Sequence, residues 1–169
     1  MTSLLEVSDL SVSFESRAGR RRILNANSLS VAPGDTVGVV GESGSGKTVL
    51  VRSILGLLEP QLRIDSGRIV FRGRNLVDLE EPELQQIRGK DIALTTPEPR
   101  KHLNPLITIG RQMVNVIRAH QDIDSRQATH RAVELLNAVG IPDPEMRLAG
   151  YPHELSGGMC QRVIIAMAL

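Results

Sequence analysis

Apolar and polar positions alternate near the start of the chain and give way to a helical period in its second half. From Leu5 to Phe14 the alternation is imperfect, with Leu10, Val12 and Phe14 on one side, which predicts a strand of a half-buried sheet. Ser16 to Arg22 is polar and arginine-rich around Gly19 and is expected to be a hairpin loop, followed by a second strand region from Ile23 to Val31. Pro33-Gly34-Asp35 marks a turn. Thr36 to Val40 is a short β-branched apolar run, the pattern of a strand buried on both faces. Lys47 to Leu58 then carries Val51, Ile54, Leu55 and Leu58 on one helical stripe. A further strand is expected at Ser66 to Phe71, a turn at Arg72 to Arg74, a short helix at Pro82 to Arg88 and a buried strand at Asp91 to Leu94.

Thr95 to Pro105 holds three prolines and no helical period, so it is expected to be a loop. Beyond it the chain predicts helices. One spans Ile109 to His120. A second spans Asp124 to Val139, with an Asp124/Gln127 capping pair, Gly140 as its stop, and a stripe of Ala128, Ala132, Leu135, Leu136 and Val139. Pro142 and Pro144 fall in the next loop, and Gly157 to Leu169 makes a last helix. Three segments follow: residues 1–94 with the sheet and the glycine-rich loop, a helical block at 95–155, and the terminal helix at 156–169. There are no repeats and no low-complexity tract.

Composition narrows the function. The net charge is +1, so no global field draws nucleic acid or anionic lipid. Aromatics make up 2% of the chain, too few for a base-stacking platform, so no nucleic-acid partner is expected. One cysteine, Cys160, excludes an internal disulfide and suits a reducing cytosol. Residues 1–6, Met-Thr-Ser-Leu-Leu-Glu, lack the basic start and apolar core of a signal peptide. No apolar run is long enough to span a membrane, so any membrane role is expected through a partner.

Two stretches carry phosphate chemistry. Gly41-Glu42-Ser43-Gly44-Ser45-Gly46-Lys47-Thr48 fits G-x-x-x-x-G-K-[ST], the P-loop. Its glycines let backbone N–H groups turn inward, and the following helix adds its positive dipole end. Lys47 supplies a point charge for the β- and γ-phosphates, and Thr48 offers a hydroxyl to Mg²⁺. The apolar run before it and the amphipathic run after it argue against a chance glycine-rich turn. The second stretch is Leu155-Ser156-Gly157-Gly158-Met159-Cys160-Gln161-Arg162. Ser156 opens a helix, and Gly157 and Gly158 leave N–H groups bare. This is either an anion site or an ordinary serine N-cap.

Together these stretches resemble the ATP-binding subunits of ATP-binding-cassette (ABC) transporters. The likeness to the dipeptide/oligopeptide/nickel importer group rests on the P-loop octet, Leu103-Asn104-Pro105-Leu106, Ile109-Gly110-Arg111-Gln112 and Tyr151-Pro152-His153-Glu154-Leu155-Ser156-Gly157-Gly158-Met159. The resemblance covers essentially the whole chain, as the N-terminal two-thirds or so of such a subunit. It implies an α/β fold of the P-loop NTPase class, with an antiparallel β subdomain, a helical subdomain, and the C-terminal part of the core sheet missing.

The resemblance also implies a mechanism. Two subunits, identical or paralogous, pair head to tail. ATP with Mg²⁺ then lies between Gly41, Ser43, Gly44, Ser45, Gly46, Lys47 and Thr48 of one and Ser156, Gly157 and Gly158 of the other. Membrane permease subunits and, indirectly, an extracytoplasmic solute-binding protein are the implied partners, with the subunit in the cytoplasm on the inner face of the membrane. Phe14 matches the position of the aromatic that stacks on adenine. It also reads as a core-facing strand residue beside Leu10 and Val12.

Two departures from the family pattern stand out. Counted back from Leu103-Asn104-Pro105, the family's Mg²⁺- and water-contacting glutamine falls on Pro97, which has neither a side-chain amide nor an N–H. A local shift would place Thr96 there. The chain also stops at Leu169, before the family's Asp and Glu of the next strand and a later His. His153 is expected to be a loop residue and no substitute for that His. No catalytic residue is therefore expected within these residues, and the 169-residue chain alone is expected to be inactive and poorly soluble or molten, with an unpaired apolar edge at Thr36 to Val40. Cys160 is either an inert small side chain or a thiol whose pKa the helix end lowers. The competing function is a non-catalytic nucleotide-binding remnant or regulatory module; an ABC protein of soluble function is a third.

Overall fold

The N-terminal alternation folds as two long antiparallel strands, β1 (Leu5–Ser16) and β2 (Gly19–Val31), in the computed structural model, which describes residues 3–17 and 19–169. The strands come much closer to their turn than the polar sequence suggests. Arg20, Arg21 and Arg22 lie in β2, not in a loop, opposite Glu15, Phe14 and Ser13. The cause is electrostatic: Arg20 pairs with Asp65 across the sheet, so charge at these positions supports strand pairing. Ala18, within the expected loop, and Met1 and Thr2 at the start fall outside the described residues.

The chain divides into two units, Met1–Arg88 and Gly89–Leu169. In the first, β3 (Leu62–Phe71) and β4 (Arg74–Asn75) complete a sheet of order β2-β1-β3-β4, and every pairing is antiparallel. Val7, Leu10 and Val12 of β1, Leu24 of β2, and Ile69 and Phe71 of β3 are buried. Helix α1 (Lys47–Ile54) is shorter than the apolar stripe implies and is turned slightly about its axis. Leu50 and Ser53 point inward while Val51 is exposed. The chain leaves the helix at Gly56, whose φ is 62°. Arg88, just after α2 (Glu81–Ile87), donates to Leu55 O and Gly56 O at 2.7 and 3.2 Å, placing a cation at the carbonyl end of α1.

Two expected strands are not formed. Thr36 to Val40 has no strand partner among the described residues, and Val37, Val39 and Val40 are 46%, 44% and 93% exposed. Apolar β-branched composition favours a strand only where neighbours cover it. Asp91 to Leu94 is likewise exposed, apart from a half-buried Ile92 whose carbonyl closes a turn with Gly89 N–H at 2.9 Å.

The second unit is helical. The expected proline loop holds a four-residue helix, α3 (Pro99–His102). Helices α4 (Ile109–His120), α5 (Ser125–Ala138), α6 (Pro144–Ala149) and α7 (Gly157–Ala168) follow. The Asp124/Gln127 capping box is formed in both directions, and Gly140 takes φ 72° after α5. Pro144, expected in a loop, is instead the first residue of α6, where its missing N–H costs nothing. Ile109, Met113, Ala128, Ala132, Leu136, Cys160, Val163 and Ala166 form a single buried cluster. Among the described residues no helix is long and apolar enough to cross a membrane.

Candidate functional site

The loop 41–48 runs into α1 through Gly46, which takes φ 93° as the residue before the helix. A Cβ on Gly46 would lie 2.7 Å from Leu24 Cδ2 and 3.4 Å from Ile23 O, so only glycine lets the loop rest on β2. Gly44 also has positive φ. A Cβ on Gly41 would come within 2.8 Å of Ser45 Oγ, so the loop closes on itself at that point. Ser45 N–H donates to Glu42 O at 3.2 Å and holds the turn.

Lys47 curls back over this loop. Its ammonium donates to Gly41 O and Glu42 O, both at 2.7 Å, and lies 3.4 Å from Ser45 Oγ. The first turn of α1 has no side-chain cap and no acidic residue. Its free N–H groups and the lysine charge therefore face the same loop, an arrangement suited to a chain of phosphates. Thr48 is exposed, with its hydroxyl in the first turn of α1. Among the described residues no group of three or more His, Cys, Asp or Glu could hold a metal by itself.

Phe14 is half-buried, unlike the fully buried Leu10 and Val12 on the same strand. It lies between Arg21 of β2 and Leu62 of β3. On the opposite face of these strands a polar network forms. Ser13 donates to Asp65, Arg20 pairs with Asp65, and Arg63 pairs with Glu15 at 3.4 Å. The Ser13 hydrogen bond, followed by the hydrogen bond and charge of Arg20 and the charge of Arg22, outweighs burial and holds the Asp65 carboxyl below its ordinary range.

Ser156, Gly157 and Gly158 belong to the helical unit. Ser156 caps α7, accepting from Met159 N–H at 3.2 Å. Gly157 and Gly158 face open space, and the first turn of α7 has no acidic residue. Cys160 is fully buried in the helical core, with its Sγ 3.5 Å from Pro152 O. His153 sits in a 3₁₀ turn (Pro152–Glu154) and stacks on Tyr151, centroids 5.6 Å apart. Pro97 is exposed, and the buried Oγ1 of the neighbouring Thr96 has no hydrogen-bond partner among the described residues.

Two sets of contacts emerge only in three dimensions. Gln112 accepts from Asn104 N–H at 2.8 Å and donates to Asn104 O and Ile107 O at 3.0 and 2.8 Å, so the Leu-Asn-Pro-Leu and Ile-Gly-Arg-Gln motifs are two halves of one clamp. Arg100 donates to Leu155 O at 3.0 Å and ties α3 to the residue before Ser156. Their spacing in sequence carries no signal for either contact.

The family profile described as "ABC transporter" matches residues 24–169. The oligopeptide transport ATP-binding protein OppD of Bacillus subtilis is 45% identical over 170 residues, covering 100% of this chain and 48% of OppD. The dipeptide transport ATP-binding protein DppD of Escherichia coli is 43% identical, covering 99% of this chain and 51% of DppD. The chain thus spans about half the length of these curated relatives. Among solved structures, the dimeric ATP-binding cassette MJ0796, in a state bound to ADP and Pi, superposes with a TM-score of 0.83 at 24% identity. The match covers 98% of this chain and 68% of that one, and it establishes likeness of fold alone.

Proposed function

As a member of the ABC transporter family, this chain is, we propose, the nucleotide-binding part of an importer's ATP-binding subunit. The observation that carries this reading is the loop of residues 41–48, with the Lys47 ammonium held over Gly41 O and Glu42 O beside an uncapped helix start. In the proposed site the backbone of Gly41, Ser43, Gly44, Ser45 and Gly46 surrounds the phosphates of ATP. Lys47 gives up its carbonyl partners to bind them, and Thr48 contributes a hydroxyl to the accompanying Mg²⁺. Phe14 stacks on the base. Ser156, Gly157 and Gly158 meet the nucleotide held by a second subunit, identical or paralogous.

The energetic logic is that each N–H and ammonium group finds a better acceptor in phosphate than in the loop's own carbonyls. Nucleotide then joins two subunits, and their closure is passed to membrane permease subunits from the cytoplasmic face. The solute is a peptide or similar small molecule, supplied by an extracytoplasmic binding protein. The choice of a peptide is supported by the likeness to OppD and DppD, an oligopeptide and a dipeptide transport ATP-binding protein. MgATP should convert the intact natural polypeptide from monomer to dimer in sedimentation, and Gly158→Asp, which puts a carboxylate where open space now lies, should abolish the shift. Equal dimerisation with and without MgATP would contradict the reading.

A second reading is favoured by Pro97, which offers no amide at the position expected for glutamine. In it the subunit holds nucleotide without splitting it efficiently. Turnover by the intact polypeptide separates the two readings.

A further inference from the structure

We propose that Arg21 reads the base of the bound nucleotide and lets this site take guanosine triphosphate as well as ATP. The inference rests on the reading of Phe14 as the base-stacking residue.

A bulge places Arg21. β1 and β2 pair Val12 with Leu24 but Ser13 with Arg22, so β2 carries one extra residue, Ile23, at that point. A bulge of this kind changes which face the later side chains occupy. Here it puts Arg21, rather than Arg22, opposite Phe14 on the Val12–Leu24 side of the sheet. That is the side on which the phosphate loop rests, since a Cβ on Gly46 would touch Leu24 and Ile23. Arg21 lies three residues along the strand from Leu24, on the order of 10 Å at the usual strand rise. A base stacked on Phe14 while its phosphates occupy the loop would span a similar distance.

The other arginines of this hairpin are engaged elsewhere. Arg20 is paired with Asp65, Arg22 donates to Asn25 Oδ1 at 3.0 Å, and Arg63 pairs with Glu15. Among the described residues Arg21 has no hydrogen bond or ion pair within this structure, and it is exposed. A planar guanidinium on the Phe14 row therefore has its donors available.

Base chemistry sets the direction of the effect. Stacking on an aromatic ring is tolerant of base identity, because every base has a π-face. A guanidinium is not tolerant. It pairs in a bidentate manner with guanine O6 and N7, which are both acceptors, whereas adenine presents a donor amino group beside its N7. An arginine edge-on to the stacked base therefore strengthens GTP binding relative to ATP.

The test is equilibrium binding of Mg-GTP and Mg-ATP to the intact natural polypeptide and to Arg21→Val, Arg21→Gln and Phe14→Ala. Valine suits an exposed strand position, and glutamine keeps a polar side chain, so agreement between the two variants excludes a folding artefact. Both should weaken GTP binding about fivefold or more while changing ATP binding less than about twofold, matching loss of one bidentate base contact. Phe14→Ala should weaken both nucleotides. Equal weakening of GTP and ATP by the Arg21 variants, or no change in either, would overturn the role of Arg21 even if Phe14→Ala behaves as expected. No effect of Phe14→Ala on either nucleotide would instead remove the base-stacking premise, and the Arg21 inference with it.

Discussion

Leu24 Cδ2 stands where a side chain on Gly46 would have to go, 2.7 Å from an ideal Cβ. This contact fixes the phosphate loop to the sheet and sets its entry into α1. Gly46→Ala should therefore lose stability by roughly 2 kcal/mol or more, combining a left-handed backbone at φ 93° with a steric clash. Denaturant melts of the intact polypeptide should show the loss, and ATP affinity should fall with it. An alanine variant with an unchanged midpoint would mean the loop can move off β2 freely.

Ser156 holds a structural bond that can be separated from its proposed nucleotide role. Its Oγ accepts from Met159 N–H at 3.2 Å at the start of α7. Ser156→Ala should cost about 1 kcal/mol of stability, and Ser156→Asp should retain the cap. Only the aspartate variant brings a negative charge toward an anion. Thermal melts should rank Asp above Ala, whereas MgATP-driven dimerisation should rank Ala above Asp. The same ranking in both measurements would leave the cap as the whole role.

Asp65 links Ser13, Arg20 and the sheet, and its carboxyl is held below the ordinary range, first by the Ser13 hydrogen bond and then by Arg20. A carboxylate with a lowered folded-state pKa stabilises the fold in its ionised form. That contribution is fully present above its unfolded pKa of about 3.9 and is lost as pH falls through the folded value. Asp65→Asn should flatten the acid limb of stability against pH while leaving the slope near neutrality unchanged. Urea midpoints measured across the acid range check this; an acid limb identical to wild type would contradict it.

Local signals were legible where the partner is local. Asp124 and Gln127 name their own helix start, and Ala128, Ala132 and Leu136 name its buried side. The glycines of the phosphate loop likewise announce their turn. What the sequence concealed depends on distant partners. Arg20 reads as a loop residue until Asp65, far along the chain, supplies its counter-charge. Val37, Val39 and Val40 read as a buried strand, because composition records that a residue is apolar and not whether anything covers it. Pro144 reads as a breaker, although the first position of a helix is where proline fits. Gln112 and Asn104 are visible as motif residues, but their mutual hydrogen bonds are not.

Pro97 is exposed and offers neither an amide nor an N–H at the position where a water-positioning glutamine is expected. In the intact natural polypeptide Pro97→Gln should raise ATP turnover, by up to about 10²-fold if water placement limits the rate. Steady-state phosphate release measures it, and ATP affinity should be little changed. No gain in turnover would mean the proline does not limit hydrolysis.

In the proposed nucleotide site Lys47 exchanges its bonds to Gly41 O and Glu42 O for the phosphates. Calorimetric titration of Mg-ATP into the intact natural polypeptide and into Lys47→Ala tests this exchange. The natural protein should bind saturably and the variant should lose about ten- to hundredfold in affinity, the scale of a hydrogen bond to a charged group. Equal affinity in the two proteins, or no binding by either, would contradict it.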